Sequence, residues 1–67
     1  MITPQQAIEL MIEHGLTVEF YRPGKAIKVY NGSRHNIYAG WTKHFYMGEV
    51  TLEDYCEAVE KAVTYFT

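Results

Sequence analysis

The sequence has little of the material from which disulfide-bonded, metal-bound or membrane-bound folds are built. A single cysteine, Cys56, excludes an internal disulfide. No hydrophobic run approaches the roughly 20 residues that a membrane-spanning helix needs. Met1 and Ile2 lead directly into a helix start, so we expect no secretory signal peptide. These features predict a soluble, intracellular and cytoplasmic protein in a reducing environment.

Catalytic and cofactor motifs are also missing. Cys56, His35 and His44 occur at none of the spacings of recognised metal sites, such as CxxC or HExxH, so we predict no metal and no cofactor. Cys56 falls within an apolar helical stripe, where a thiol is expected to be inert. A chain of 67 residues forms one domain, residues 1–67, and a chain this short buries only about 60% of its unfolded surface. A deep cleft is not expected, and we predict that the protein is not an enzyme.

Residues 17–46 organise the rest of the chain. Two turn signals, Arg22-Pro23-Gly24-Lys25 and Asn31-Gly32-Ser33, separate short runs in which apolar and polar residues alternate. Such alternation is typical of strands with one buried face, so the segment predicts an antiparallel meander of three strands. Whether residues 41–47 extend the third strand or form a loop is not decided by their pattern.

The two turns set the register of this sheet. Because Pro followed by Gly favours a type I or II turn, we predict a four-residue loop, Arg22 to Lys25, which pairs Phe20 with Ile27 and Val18 with Val29. At the second turn a two-residue loop would place Ile37 on the wrong face. We therefore predict a three-residue loop, residues 31–33, with positive φ at Gly32 or its neighbour.

That register divides the strands into two faces. The predicted core face collects Leu16, Val18, Phe20, Ile27, Val29, Ile37 and Ala39, and it also places His35 opposite Val29. The predicted exposed face carries Glu19, Tyr21, Ala26, Lys28, Tyr30, Arg34, Asn36 and Tyr38. Tyr and Arg are frequent interface anchors, so six of these side chains are the candidate partner-binding site: Tyr21, Lys28, Tyr30, Arg34, Asn36 and Tyr38. The alternative is a structural sheet face on which tyrosines are good strand formers and Glu19 pairs with Lys28.

Both flanking segments have helix signals. Thr3-Pro4-Gln5-Gln6 and Thr51-Leu52-Glu53-Asp54 fit capping boxes, and Gly15 fits a left-handed C-cap. The predicted buried stripes are Ala7, Ile8, Met11 and Ile12 in the first helix, and Leu52, Tyr55, Cys56, Val59, Ala62, Val63 and Phe66 in the last. Trp41 and Phe45 are large enough to fill the gap between sheet and helix. The fold class is therefore α+β, a small α-β-β-β-α domain whose two helices pack on one face of the three-stranded antiparallel sheet.

Charge is segregated along the chain although the total is only −2. Residues 17–47 contain five Lys or Arg and one Glu, and residues 48–67 contain five Asp or Glu and one Lys. The last helix thus carries a row of carboxylates, which is a weaker candidate site for a basic partner: Glu49, Glu53, Glu57 and Glu60. The alternative is a solvated face partly neutralised by the Glu57 and Lys61 pair at i, i+4.

Three hypotheses for function follow. The first is a binding module that occupies a protein partner through the tyrosine-rich face, the acidic helix or both, as a stoichiometric regulator or inhibitor. Compact acidic domains of this kind include proteins carried by phages, so a viral protein is included by analogy. The second is a nucleic-acid-binding domain that stacks bases on the same face, and the third is a homodimer that buries it.

Overall fold

A computed structural model describes residues 2–44 and 46–67, and for Met47 only the backbone is considered. The elements are α1 (Pro4–His14), β1 (Leu16–Tyr21), β2 (Ala26–Asn31), β3 (Ile37–Trp41), a short 3-10 turn (Met47–Glu49) and α2 (Leu52–Phe66). The strands form an antiparallel sheet in the order β1-β2-β3, and both helices contact it. The predicted α+β class and the order of elements are confirmed.

Local sequence signals begin both helices and end α1 as predicted. The Thr3 hydroxyl accepts a hydrogen bond from the Gln6 backbone N–H, and the Gln6 side chain accepts one from the Thr3 N–H. Thr51 and Asp54 form the same reciprocal pair at the start of α2. Gly15 ends α1 at φ 64°, a left-handed conformation that costs glycine little.

The core lies between the sheet and the two helices. Ala7 of α1 packs with Cys56 and Val59 of α2, and Val29 packs with Leu16 and Ala62. These residues are buried and lie on the same side of the sheet as Val18 and Tyr38. Both helices therefore cover one face of the sheet, as predicted.

The first hairpin has the predicted register. Phe20 pairs with Ile27 and Val18 with Val29, across the four-residue turn from Arg22 to Lys25. The turn is closed by a hydrogen bond from the Lys25 N–H to the Arg22 carbonyl, and Lys25 has φ 51°.

The predicted register of the second hairpin is wrong. Val29 pairs with Tyr38 and Ile27 with Gly40, because the loop between β2 and β3 spans residues 32–35 and is closed by the Asn31 N–H donating to the Asn36 carbonyl. Relative to the prediction, the partner of each β2 residue moves by three positions, an odd number that reverses the face of every β3 side chain. Gly32 does adopt positive φ, at 85°.

Several predicted core positions change as a result. Ile37 and Ala39 lie on the face opposite the helices, and His35 lies in an exposed loop instead of the core. Trp41 does not fill the gap between sheet and helix, since it ends β3 on the far side and is exposed. Phe45 lies outside the described residues. Residues 42–44 are loop, so β3 ends at Trp41.

Three apolar residues in the predicted helix stripes are also exposed. They are Ile8 and Ile12 in α1 and Leu52, the first residue of α2. The stripe rule places residues by helical period alone, whereas a helix end or flank that overhangs a small sheet finds nothing to pack against.

Candidate functional site

The side of the sheet opposite α1 and α2, here called the outer sheet face, is the first candidate surface. Three rows of directly opposed residues cross it from β1 through β2 to β3. The rows are Tyr21, Ala26 and Trp41; Glu19, Lys28 and Ala39; and Thr17, Tyr30 and Ile37. No helix in the described part of the chain packs on this face, because the alternate residues of each strand contact α1 and α2.

Aromatic rings mark the first row. Trp41 is 76% exposed and Tyr21 39% exposed, and Ala26 between them is fully buried. A Cβ added to Gly24 would lie 3.7 Å from Trp41 Cζ3 and 3.0 Å from the Tyr21 ring, so the turn backbone lies close to both. The rings of Tyr21 and Trp41 thus lie on either side of Ala26 at one end of the sheet. We call this exposed pair of rings the aromatic ledge.

Lys28 occupies the centre of the outer sheet face. Its ammonium nitrogen lies 3.6 Å from the centroid of the Tyr21 ring, a close cation–π geometry. The lysine is half-buried, since its stem crosses the sheet toward Tyr21. This contact fixes the charge next to the aromatic ledge.

Tyr30 is the most buried aromatic residue of this face, at 8% exposed. Its hydroxyl donates a hydrogen bond to Glu19, and the Arg34 guanidinium lies 5.4 Å from its ring centroid. Arg34 also pairs with Glu19 at 3.8 Å. The hydrogen bond to Glu19 raises the pKa of the Tyr30 phenol, and burial acts in the same direction. The three side chains form a closed network. The Tyr30 hydroxyl is therefore already engaged and is not free to bind a partner.

The structure brings together only part of the predicted site. Tyr21, Lys28 and Tyr30 lie on the outer sheet face, and Arg34 reaches its edge from the loop. Asn36 lies in the loop, exposed, at the end of the second hairpin.

The placement of Tyr38 on the exposed face is wrong. It packs on the helix side of the sheet, with its ring centroid 5.6 Å from that of Tyr65 in α2. The four-residue loop is the cause, because it reverses the faces of β3.

Trp41 is the residue that sequence reasoning missed. Its place at the end of β3 follows from the pairing of Ala26 with Trp41, which depends on the second loop. The alternation of Ile37, Ala39 and Trp41 with Tyr38 and Gly40 was a usable signal. It indicates two faces in β3 but not which of them is buried.

Three of the acidic residues predicted as a weaker site lie on α2, and Glu49 lies in the 3-10 turn before it. Glu49, Glu53 and Glu57 are exposed and Glu60 is half-buried. Lys61 Nζ lies 2.7 Å from Glu57 Oε1, and this hydrogen bond raises the pKa of Lys61. The charge of Glu57 is therefore partly neutralised, as expected if this side of α2 is a solvated face.

A second candidate surface lies at the end of the fold where both helices begin. We call it the helix-end groove, and it has a volume of about 500 Å³. Its apolar lining comprises Pro4, Ile8, Phe20, Val50, Leu52 and Tyr55. Phe20 is 54% exposed and Leu52 69% exposed. An open apolar surface of this kind is informative, because single domains usually cover such side chains.

Chemistry-bearing side chains are few and dispersed. His44 Nε2 lies 2.9 Å from Asp54 Oδ2 and links the segment after β3 to the start of α2. Cys56 is buried and unpaired. Within residues 2–44 and 46–67, no group of three or more His, Cys, Asp or Glu side chains is placed to hold a metal ion.

Neither described helix combines the length and the apolar character needed to cross a bilayer. Comparison with family models, curated proteins and solved structures found no match to the chain.

Proposed function

We propose that this domain is a non-enzymatic binding module that holds a protein partner on its outer sheet face, in the manner of a stoichiometric regulator or inhibitor. The observation that carries the proposal is the exposure of Trp41 beside Tyr21 on a face that no described helix covers. Trp, Tyr and Arg are the residues whose loss most often weakens a protein interface. A reducing, intracellular setting suits the free thiol of Cys56.

The shape of the face supports an anchored contact. Ala26 is already covered by its neighbours, whereas Ala39 on the same face is small and half-buried, so a partner side chain can approach Trp41 from the Ala39 side. A tryptophan side chain has only two rotatable torsions, so it loses little conformational freedom on binding.

The polar groups of the face are already held in place. Lys28 lies over Tyr21, and Tyr30, Glu19 and Arg34 contact one another. Such contacts lower the entropy cost of ordering side chains when a partner arrives. They favour a partner with complementary polar groups at fixed positions, as a folded protein provides.

Nucleic acid is the second candidate, because five of the six Lys and Arg lie in residues 17–47 around the exposed rings. Two contacts count against it. The Tyr21 ring already contacts the Lys28 ammonium, and Arg34 is paired with Glu19. Base stacking and phosphate binding would both have to replace these contacts.

Affinity capture with matched variants tests the first candidate. Trp41→Ala should reduce recovery of the captured protein at least about tenfold, since an aromatic anchor at an interface is commonly worth about 2 kcal/mol or more. Ile12→Ala is the control, because Ile12 is 77% exposed, as open as Trp41, but lies on α1 at the other side of the molecule. Equal recovery with both variants removes the outer sheet face from the proposal.

Salt dependence separates the two candidates. Fluorescence anisotropy with single-stranded and double-stranded oligonucleotides should show no binding at micromolar protein. Binding that falls steeply with salt, together with loss in Lys28→Gln, would favour nucleic acid. Light scattering at several concentrations addresses the third hypothesis, and a dimer abolished by Trp41→Ala would mean that the face is covered by a second copy.

A further inference from the structure

The free edge of β3 is a backbone surface beside α2. We propose that an extended segment of a protein partner pairs with this edge as an additional strand, and that Lys or Arg side chains of the segment lie against the carboxylates of α2. The proposed pairing does not depend on the function proposed for the outer sheet face, since it uses the backbone of β3 and the side chains of α2.

The hydrogen-bonding pattern leaves one side of β3 open. At the two ends of the hairpin, the Asn31 N–H donates to the Asn36 carbonyl and the Thr42 N–H donates to the Lys25 carbonyl. In an antiparallel pair every second residue bonds the neighbouring strand, so the residues between these point their N–H and carbonyl groups away from β2. They are Ile37, Ala39 and Trp41. In the sheet that the structure describes, β3 is the last strand and no other strand pairs with this side.

The residues of β3 do not protect this edge. The strand Ile37–Trp41 contains no Pro and no charged residue, and its pairing with β2 is continuous, without a bulge. The other edge strand, β1, carries Glu19 near its centre. Charges, prolines and bulges are the usual means by which proteins prevent a strand edge from pairing with another chain. Of the two edges, β3 is therefore the better template for strand addition.

A cleft runs beside this edge along α2, and we call it the strand-edge cleft. Its central part has a volume of about 220 Å³ and lies between residues 38–42 and the α2 residues Asp54, Glu57, Ala58 and Lys61. Two further depressions continue it toward Thr51 at one end of α2 and Thr64 at the other. A strand paired with β3 would lie about 5 Å from it, so every second side chain of that strand would face this side of α2.

The α2 side of the strand-edge cleft favours basic side chains. The carboxylates that line it are Glu53, Asp54, Glu57 and Glu60. Lys43 and Lys61 also line it, and Lys61 Nζ already lies 2.7 Å from Glu57 Oε1. Because the carboxylates outnumber the lysines, a segment with Lys or Arg at every second position complements the charge of the cleft.

The same charges disfavour a second copy as the occupant. In a symmetric dimer, two β3 edges would pair antiparallel and the two α2 helices would lie side by side. Glu57 and Glu60 of one chain would then approach those of the other, and like charges in contact are unfavourable. A dimer through this edge is one outcome of the test.

A synthetic peptide of about eight residues, with Val and Lys in alternation and a terminal fluorophore, is the probe. Fluorescence anisotropy should show binding with a Kd of about 10–100 μM that weakens with salt. The same peptide with Glu in place of Lys should bind at least about tenfold more weakly.

Backbone methylation separates strand pairing from charge attraction. One peptide is N-methylated at each Val and a second at each Lys, so the two have the same charge. Only one of these two sets of N–H groups can face β3, because alternate residues of a strand point to opposite edges. One methylated peptide should therefore lose binding and the other should retain it.

Variants of the protein locate the contact. Ala39→Pro removes an N–H that does not bond β2, so it should weaken peptide binding at least about tenfold while the sheet is retained. Ala39→Thr keeps this N–H and is the control. Glu53→Gln with Glu60→Gln should weaken binding about three- to tenfold at low salt, whereas Glu13→Gln, at an exposed site on α1, should not. Circular dichroism checks that each variant is folded.

Several results would overturn the proposal. They are failure of the Lys peptide to bind at about 1 mM, equal binding of the Glu peptide, equal binding of the two methylated peptides, or unchanged affinity in folded Ala39→Pro. A dimer of the protein alone that Ala39→Pro abolishes and Ala39→Thr retains would also overturn it, because a second copy would then occupy the edge.

Discussion

Phe20 and Tyr21 are neighbours in β1, yet the pleat of the strand sends them to surfaces of opposite character. Tyr21 joins Trp41 and Lys28 on the outer sheet face, within a basic segment of the chain. Phe20 joins Leu52 in the helix-end groove, beside acidic helices. A single residue step thus separates two surfaces of different composition.

The two surfaces also differ in how far they are organised without a partner. On the outer sheet face, Lys28 contacts Tyr21, and Tyr30 contacts Glu19. In the groove, exposed apolar side chains from three elements surround open space. Binding on the sheet face should therefore depend on preserved geometry, whereas binding in the groove should depend on the apolar area that becomes buried.

The largest effect is expected from a substitution in the core, which supports both surfaces. Ile27 is 2% exposed in the core, and Ile27→Ala should cost about 2–5 kcal/mol of unfolding free energy, because it leaves a cavity under β2. Ile12→Ala, at an exposed site, should stay within about 0.5 kcal/mol. Urea unfolding followed by circular dichroism measures both, and equal losses would contradict the assigned core.

The next largest effect is expected where α2 packs against β3, the strand that carries Trp41. A Cβ on Gly40 would lie 3.3 Å from Tyr38 Cε2 and 3.6 Å from Ala58 Cβ, so Gly40→Val should push α2 away from β3 and cost about 1–3 kcal/mol. Gly48→Ala is the control, since its Cβ would meet no atom within 4 Å. Thermal unfolding should show a clear drop in Tm for Gly40→Val alone, and a similar change in both would disprove the close approach of Gly40 to α2.

A smaller effect should be confined to the groove. Thr51→Ala removes the hydroxyl that caps α2 and should cost about 1 kcal/mol. Urea unfolding measures this loss, which should disturb the helix-end groove, since Leu52 and Tyr55 line it from the first turn of α2, and leave the outer sheet face unaltered. Thr51→Ser retains the cap and should behave as wild type, so an equal loss in that variant would argue against capping as the cause.

The stability that the start of α2 contributes should depend on pH. The hydrogen bond from the Thr51 backbone N–H holds the pKa of Asp54 below its ordinary value of 3.8, with the Thr51 hydroxyl and His44 acting in the same direction. A lowered folded-state pKa stabilises the protein above the unfolded pKa, and this stabilisation is lost as pH falls through the folded pKa. Asp54→Asn should therefore lose less stability than wild type between about pH 5 and about pH 2. Parallel pH profiles from unfolding experiments would contradict this assignment.

The smallest effect should be confined to the outer sheet face. Gly24→Ala places a Cβ 3.0 Å from Tyr21 Cδ2, so the ring must shift toward Trp41 or Lys28. The cost to stability should stay under about 1 kcal/mol, since the change also reduces the freedom of the unfolded chain. The sole tryptophan makes intrinsic fluorescence a direct probe of this site, and an unchanged emission spectrum would argue against contact between the turn and the aromatic ledge.

How much the sequence predicts differs between the two hairpins. The Pro-Gly turn identifies the first loop, and Phe20 and Ile27 then take their partners and faces correctly. In the second, the apolar character of Ile37 favours a core position that the structure gives to Tyr38. The loop length decides the face, and the sequence around Asn31 and Gly32 allows more than one length.

The groove was harder to predict because it depends on where helices overhang the sheet. Helical period places Ile8 and Leu52 in buried stripes, and strand alternation places Phe20 on the core face. The predicted burial of these three side chains is wrong, although they do lie together at one end of the molecule. Their exposure follows from the small size of the sheet, which no local pattern contains.

The register of β3 decides which residues lie on the outer sheet face, and nuclear Overhauser contacts in solution test it most directly. The account predicts contacts between the side chains of Val29 and Tyr38, between the rings of Tyr38 and Tyr65, and between Gly24 and the Trp41 indole. Contacts of Val29 with His35, together with a Trp41 indole packed against α2, would contradict it.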